Sequence, residues 1–336
     1  MYVMLKNIVV IGGGTGSYTV LRGLRDKVEN LSAVVSMFDD GGSTGLLRDE
    51  FGILPPGDVR RCLLALADEN GDNTLRELFT YRFEKDSSLK GHSFGNLLLT
   101  ALQQITGSEA EAIRRAEKIL NIKGRVLPVS FDNARLCAEM EDGRRVLGES
   151  AIDIPFRNPN LKINNIWLEP KAVANAEAVR AIEEAELIVI GPGDLFTSLI
   201  PNFLVKGIKE ALARSRAKKV YICNLMTKPG ETSALSAADH LERIIWYGVK
   251  PDLIICSQAE VDLNILEKYL ADGQHPVVID PERIAALGVE LVVENLITAP
   301  ELIRHDSEKL ARLLLFVIPD PDLGSRDYMK TGIQLQ

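Results

Sequence analysis

Four glycine-bearing segments of the sequence combine residue types suited to holding an anionic ligand. The first is Gly12-Gly13-Gly14-Thr15-Gly16-Ser17. Glycines let the backbone come close to a diphosphate, and a following helix presents free N–H groups and the positive end of its dipole. A merely tight strand-to-helix turn would use the same residues. The dinucleotide fingerprint needs a third glycine at position 17, where the chain has Ser17, and this argues against a nicotinamide dehydrogenase.

The second segment, Asp39-Asp40-Gly41-Gly42-Ser43-Thr44-Gly45, puts two carboxylates ahead of three glycines and two hydroxyls. Paired carboxylates can hold a magnesium ion with waters and substrate phosphate. They can equally orient a hydroxyl or cap backbone N–H groups, and a solvated Asp-Gly turn favours the same residues. In the third, Leu54 to Arg61, Pro55 and Pro56 fix the approach and Asp58 begins a helix, with Arg60 or Arg61 in reach of a phosphate. Gly91-His92-Ser93-Phe94-Gly95-Asn96 adds a histidine that suits acid–base chemistry or a structural hydrogen bond. The fourth, Gly191-Pro192-Gly193-Asp194-Leu195-Phe196-Thr197-Ser198, repeats the design of the first, and Asn224 to Thr232 again follows a strand.

These segments need strands before them and helices after them. Lys6–Ile11, Leu31–Phe38, Leu187–Ile190, Lys219–Asn224, Leu253–Ser257 and Pro276–Asp280 read as strands. Helical spacing follows from Thr15 to Arg25, Asp58 to Asp68, Asn73 to Phe83, Asn96 to Thr106, Glu109 to Leu120 and Ser307 to Phe316. Between Gly124 and Pro170 the residues alternate, with turn signals at Glu141-Asp142-Gly143 and Asn158-Pro159-Asn160, as in antiparallel hairpins. The expectation is an α/β fold: a Rossmann-like, doubly wound, mostly parallel sheet over 1–319 with an antiparallel hairpin insertion at 124–170. Residues 320–336 read as a flexible tail. In such a sheet, ligands bind outside the carboxyl ends of the strands, so the loops can converge on one cleft.

Composition agrees with a globular core, at 46% hydrophobic and 26% charged residues. A net charge of -8, spread along the chain, argues against nucleic acid as partner, which would need a basic face. Four widely spaced cysteines suggest neither disulfides nor zinc, and hence a reducing compartment. The first strand follows the N-terminus too closely for a signal peptide, and no apolar run approaches the ~20 residues of a membrane span. A cytoplasmic protein without membrane insertion is expected.

With Gly12-Gly13-Gly14-Thr15-Gly16, Asp39 to Gly45 and Pro55-Pro56-Gly57-Asp58-Val59-Arg60, the chain resembles the CofD-like superfamily. Gly91 to Asn96, Gly191-Pro192-Gly193 and Asn224-Leu225-Met226-Thr227 point to its YvcK branch, the gluconeogenesis factors, with the motifs in order from about Lys6 to Phe316. The resemblance implies a cytoplasmic homodimer that binds a UDP-activated sugar such as UDP-N-acetylglucosamine. It also implies a role in cell shape and envelope synthesis during growth on gluconeogenic carbon sources, with no required cofactor. The CofD branch differs: with magnesium, it transfers a phospholactyl group from a nucleoside diphosphate donor to a deazaflavin alcohol. The choice between a binding regulator and such a transferase stays open.

Carried over by motif, the ligand-binding residues are Gly13, Gly14, Thr15, Asp40, Asn96 and Gly193. Tyr269 and Arg304 match C-terminal positions where the branch contacts the nucleotide. For a transferase, Asp40 would be the catalytic residue, binding metal or orienting the accepting hydroxyl. Ser17-Tyr18 and Asp194 depart from the branch pattern, which has an aliphatic pair and a serine there. Asp194 adds negative charge beside a proposed phosphate loop, so it either binds a metal or weakens that loop's role.

Overall fold

The computed structural model describes residues 7–68, 73–84, 86–153, 161–258, 262–298 and 302–317. The turn at Asn158-Pro159-Asn160, Lys6 and the tail from 320 lie outside these.

Strand β1 (Asn7–Gly12) leads into helix α1 (Gly14–Leu24), and β2 (Asn30–Val35) into α2 (Gly42–Phe51) and α3 (Gly57–Leu66). After α4 (Thr74–Thr80), α5 (Phe94–Thr106) and α6 (Glu109–Ile119) the chain returns as β3 (Arg125–Pro128). An excursion follows: β4 (Arg135–Met140), β5 (Arg145–Leu147), α7 (Glu149–Asp153) and β6 (Ile163–Glu169). The main sheet resumes with β7 (Leu187–Ile190), β8 (Lys218–Ile222), β9 (Leu253–Ser257) and β10 (Glu290–Glu294).

The main sheet has seven strands in the order β10-β9-β8-β7-β1-β2-β3. Every neighbouring pair is parallel. The chain therefore starts at β1, winds outward to β3, returns, and winds the other way from β7. Both faces are covered: Val9, Ile11, Ile188 and Ile190 pack into one core, while Ile8, Val10, Leu187 and Val189 pack into the other. That is why these strands read as continuous apolar runs rather than alternating ones. Helix α5 begins where the Ser93 side chain accepts from the Asn96 N–H and stops at left-handed Gly107.

The antiparallel insertion exists, as a three-stranded sheet of order β5-β4-β6. It begins later than expected. Residues 125–128 pair parallel with β2 as the edge of the main sheet. Leu136, Ala138, Met140, Ile166 and Leu168 of the insertion share a core with Val9 and Ile190, which docks it on one face of the main sheet. Pro276–Asp280 is not a strand; the Val277 N–H donates to the Leu225 carbonyl, and the fourth main-sheet strand after the insertion is β10 at Glu290–Glu294. All four cysteines are buried and free. Among the described residues, no helix is long and apolar enough to cross a membrane.

Candidate functional site

A cleft of about 930 Å³ opens where the loops after β1, β2, β7 and β8 meet. It lies at the reversal of strand order between β1 and β7, the position where an open α/β sheet offers a crevice. One side is built by the starts of α1, α2 and α3, and the far end by Tyr269, Gln274 and the segment Ile303-Arg304-His305. Helix α7 of the insertion brings Glu149, Ser150 and Asp153 to the wall.

The glycines of the first loop serve close packing. A Cβ on Gly16 would lie 1.8 Å from the Pro192 carbonyl oxygen, so the loops after β1 and β7 touch backbone to backbone. A Cβ on Gly14 would lie 2.7 Å from Asp58 Oδ1, and one on Gly13 2.9 Å from Ser198 Oγ. Gly14 and Thr15 line the cleft, while Gly13 sits behind it. The Gly14 N–H donates to the Asp58 carboxylate. Gly13, at the N-cap of α1, has no side chain to offer, so with the Gly14 N–H taken by Asp58 the N–H groups of Thr15 and Gly16 remain for an anion. Arg61 reaches the Thr15 hydroxyl and lies 3.9 Å from Asp58.

In the second loop, Asp39 lines the cleft and Asp40 does not. Asp40 Oδ1 accepts from both N–H and Oγ of Ser150 at 2.8 Å, holding α7 against the loop. Asp39 Oδ1 accepts from the Gly41 N–H at 2.8 Å. Burial, chiefly, raises the Asp39 carboxyl above its ordinary value. Burial followed by the charge of Asp39 pushes Asp58 up to about 6. Glu149 is pushed up to about 9, first by burial and then by Asp39 and Asp153. The sequence motifs gave no sign of Glu149, which comes from the insertion. At neutral pH its carboxyl is protonated and can donate a hydrogen bond into the cleft.

The fourth loop is already satisfied internally. The Gly193 N–H donates to Asn224 Oδ1 at 3.1 Å, and the Phe196 and Thr197 N–H groups donate to Glu231 Oε1 at 2.6 and 3.0 Å. A buried carboxylate thus takes the helix start where a phosphate would sit. Gly193 lines the cleft without a free N–H. Asp153, Asp194 and Glu231 hold oxygens within 4.8 Å of one another, spacing that would suit a metal ion. Lys228 stands among them, bonded to Asp153 and 2.6 Å from Asp194 and 3.6 Å from Glu231. Burial works against the Lys228 charge, but the carboxylates of Glu231, Asp194 and Asp153 more than offset it and raise its pKa. The Lys228 ammonium stands as the cation among these carboxylates, with Asp194 as one of its ion-pair partners.

Asn96 lines the cleft, with its Oδ1 accepting from Arg60 Nε at 2.9 Å. Arg60 also donates to the Phe79 carbonyl, so it braces α3 against α4 and α5 instead of reaching freely for phosphate. At the far end Tyr269 and Arg304 both line the cleft. The Ile303 N–H donates to the Tyr269 hydroxyl at 3.2 Å, tying the two segments together. Burial holds the His305 imidazole down to about 4, although it donates to the Cys223 carbonyl. The structure therefore gathers Gly14, Thr15, Asn96, Gly193, Tyr269 and Arg304 around one space.

Comparison with known proteins is consistent along the chain. The family described as 2-phospho-L-lactate transferase CofD matches residues 8–297. The gluconeogenesis factor of Bacillus subtilis is 42% identical over 318 residues, covering 93% of this chain and 98% of that protein. That of Halalkalibacterium halodurans is 42% identical over 315 residues, covering 92% and 96%. The crystal structure of protein BH3568 from Bacillus halodurans superposes with a TM-score of 0.87 at 42% identity, over 93% of this chain and 99% of that one.

Proposed function

We propose that this chain, which belongs to the CofD family and to its gluconeogenesis-factor branch, binds a nucleoside-diphosphate sugar in the strand-end cleft. UDP-N-acetylglucosamine is the leading ligand, and the bound state regulates cell shape and envelope synthesis during gluconeogenic growth. One observation carries the reading. A single cleft of about 930 Å³ runs from the uncapped first turns of α1 and α2 to an aromatic and a cationic side chain, Tyr269 and Arg304. N–H groups at one end suit a diphosphate, and a ring and a guanidinium at the other suit a base and its phosphates.

A second reading is a magnesium-dependent transferase of the 2-phospho-L-lactate transferase type, acting on a nucleoside diphosphate ester. It is favoured by the carboxylates that line the cleft. Asp40 is less well placed for this than Asp39, because it does not line the cleft and its Oδ1 accepts from Ser150. Asp39 and Asp58 fit: both carboxyls are raised by burial, and the charge of Asp39 raises Asp58 further, which a divalent cation would relieve. Bound there, magnesium would offset charge developing on a transferred phosphoryl group. Asp58 would then position the α1 start through Gly14, and Arg61 would offset the remaining phosphate charge.

Isothermal titration with UDP-N-acetylglucosamine, GDP and NAD tests the binding reading. The UDP-sugar should bind well above NAD, and Tyr269→Ala or Arg304→Ala should each weaken it about tenfold or more. NAD binding as tight as the UDP-sugar, or affinity unchanged in both variants, would refute it.

A further inference from the structure

One hydroxyl on the cleft wall has an imidazole behind it. Ser43, in the first turn of α2, lines the cleft, and its Oγ lies 2.9 Å from Nδ1 of His92. His92 does not line the cleft and is only 8% exposed. Its backbone is held on both sides: its N–H donates to Leu89 and its carbonyl accepts from the Phe83 N–H. Among the described residues, Ser43 is the hydrogen-bond partner of this ring. The neighbouring hydroxyl is different, since Thr44 donates to the Asp39 carboxylate.

Gly41, at the N-cap of α2, has no side chain to offer, which leaves the N–H groups of Gly42 and Ser43, both on the cleft wall, for a ligand. A hydroxyl about 2.6–3.2 Å from an imidazole is the geometry of an activated nucleophile, and helix-start N–H groups stabilise charge developing next to it. We propose that Ser43 and His92 form a nucleophile–base pair, and that Ser43 accepts the β-phosphoryl group of a nucleoside diphosphate ester held in the cleft. This rests on the ligand class proposed above.

The step balances without an oxidant or a second acid. Ser43 Oγ attacks the β-phosphorus, and the Oγ–P bond forms as the bridging P–O bond to the α-phosphate breaks. The nucleoside monophosphate leaves with the electron pair, and the hydroxyl proton passes to His92 Nδ1. A phosphate monoester leaving group is largely ionised at neutral pH, so one base is sufficient. The product is a phosphodiester between Ser43 and the sugar, formed once per chain. It is a self-modification, which suits a regulator better than a turnover catalyst.

The full chain is incubated with UDP-N-acetylglucosamine, with and without magnesium, and read by intact mass and peptide mapping. Equilibrium dialysis on the same samples reports binding. The expected result is one adduct, the sugar phosphate less water, on the peptide containing Ser43. It should be absent from Ser43→Ala and form at least about tenfold more slowly in His92→Gln. If circular dichroism shows Ser43→Ala unfolded, Ser43→Cys replaces it: iodoacetamide should alkylate that thiol quickly, and adding His92→Gln should slow the reaction. Bound nucleotide without an adduct overturns the proposal and leaves the ligand reading intact; neither bound nucleotide nor adduct overturns both. An adduct elsewhere, or one indifferent to His92→Gln, also overturns it.

Discussion

Replacing Asp58 by asparagine should make the unliganded protein more stable at neutral pH. The carboxylate is enclosed, with its side chain 14% exposed, and its pKa rises from 3.8 to about 6. Burial is the larger cause and Asp39 the next, while Arg61 and the Gly14 N–H only partly oppose them. At ~1.4 kcal/mol for each pH unit, ionising it in the native state costs about 3 kcal/mol. Between those two pKa values the native state holds a proton that the unfolded chain has released. Its stabilising contribution is therefore complete below 3.8 and is lost as the pH rises through about 6. Asparagine keeps the shape and an acceptor for Gly14 without the charge, but it gives Arg61 no ionic partner. The expected gain at pH 7.5 is thus about 1–3 kcal/mol. For a chain of this size that is roughly 2 °C per kcal/mol. Thermal unfolding should show Asp58→Asn melting a few degrees above wild type at pH 7.5 and level with it at pH 4. A lower melting temperature at pH 7.5, or the same gain at both pH values, would refute the electrostatic reasoning.

Lys228→Met leaves Asp153, Asp194 and Glu231 without their shared cation, and urea unfolding at pH 7.5 should show a loss of about 3 kcal/mol, smaller at pH 5 because Glu231, pushed up to about 7 chiefly by burial, takes up a proton. Gly16→Ala drives a Cβ to 1.8 Å from the Pro192 carbonyl oxygen, whereas Gly193→Ala meets nothing nearer than the Leu199 side chain at 3.2 Å. Denaturation should find the first variant destabilised by about 3 kcal/mol or more and the second by under about 1 kcal/mol; equal costs would contradict the backbone contact between the loops.

The parallel sheet was legible because buried strands and their glycine loops mark themselves locally: Leu187–Ile190 and Leu253–Ser257 fall where the apolar runs end. What depends on distant partners was not. Residues 125–128 look like the first strand of a hairpin, yet their partner is β2, nearly a hundred residues earlier in the chain. The run at 276–280 is apolar enough for a strand, but its backbone is used across the chain, by Leu225 and by the N–H of Ala237. Asp39 and Asp40 are indistinguishable by type, and neighbours in extended backbone point opposite ways. Ser150 of the insertion decides which one faces the cleft. Sequence spacing likewise suggests two similar phosphate loops after β1 and β7. Only the fold reveals that Glu231, from the loop after β8, fills the second.

The most direct test is a crystal structure of the protein with UDP-N-acetylglucosamine bound. The diphosphate should lie within hydrogen-bonding distance of the N–H groups of Thr15 or Gly16 in α1 and of Gly42 or Ser43 in α2. The uridine should extend toward Tyr269 and Arg304, and Glu231 should still cap Phe196 and Thr197. A diphosphate seated on the Phe196 and Thr197 N–H groups with Glu231 displaced, or a ligand outside this cleft, would contradict the account.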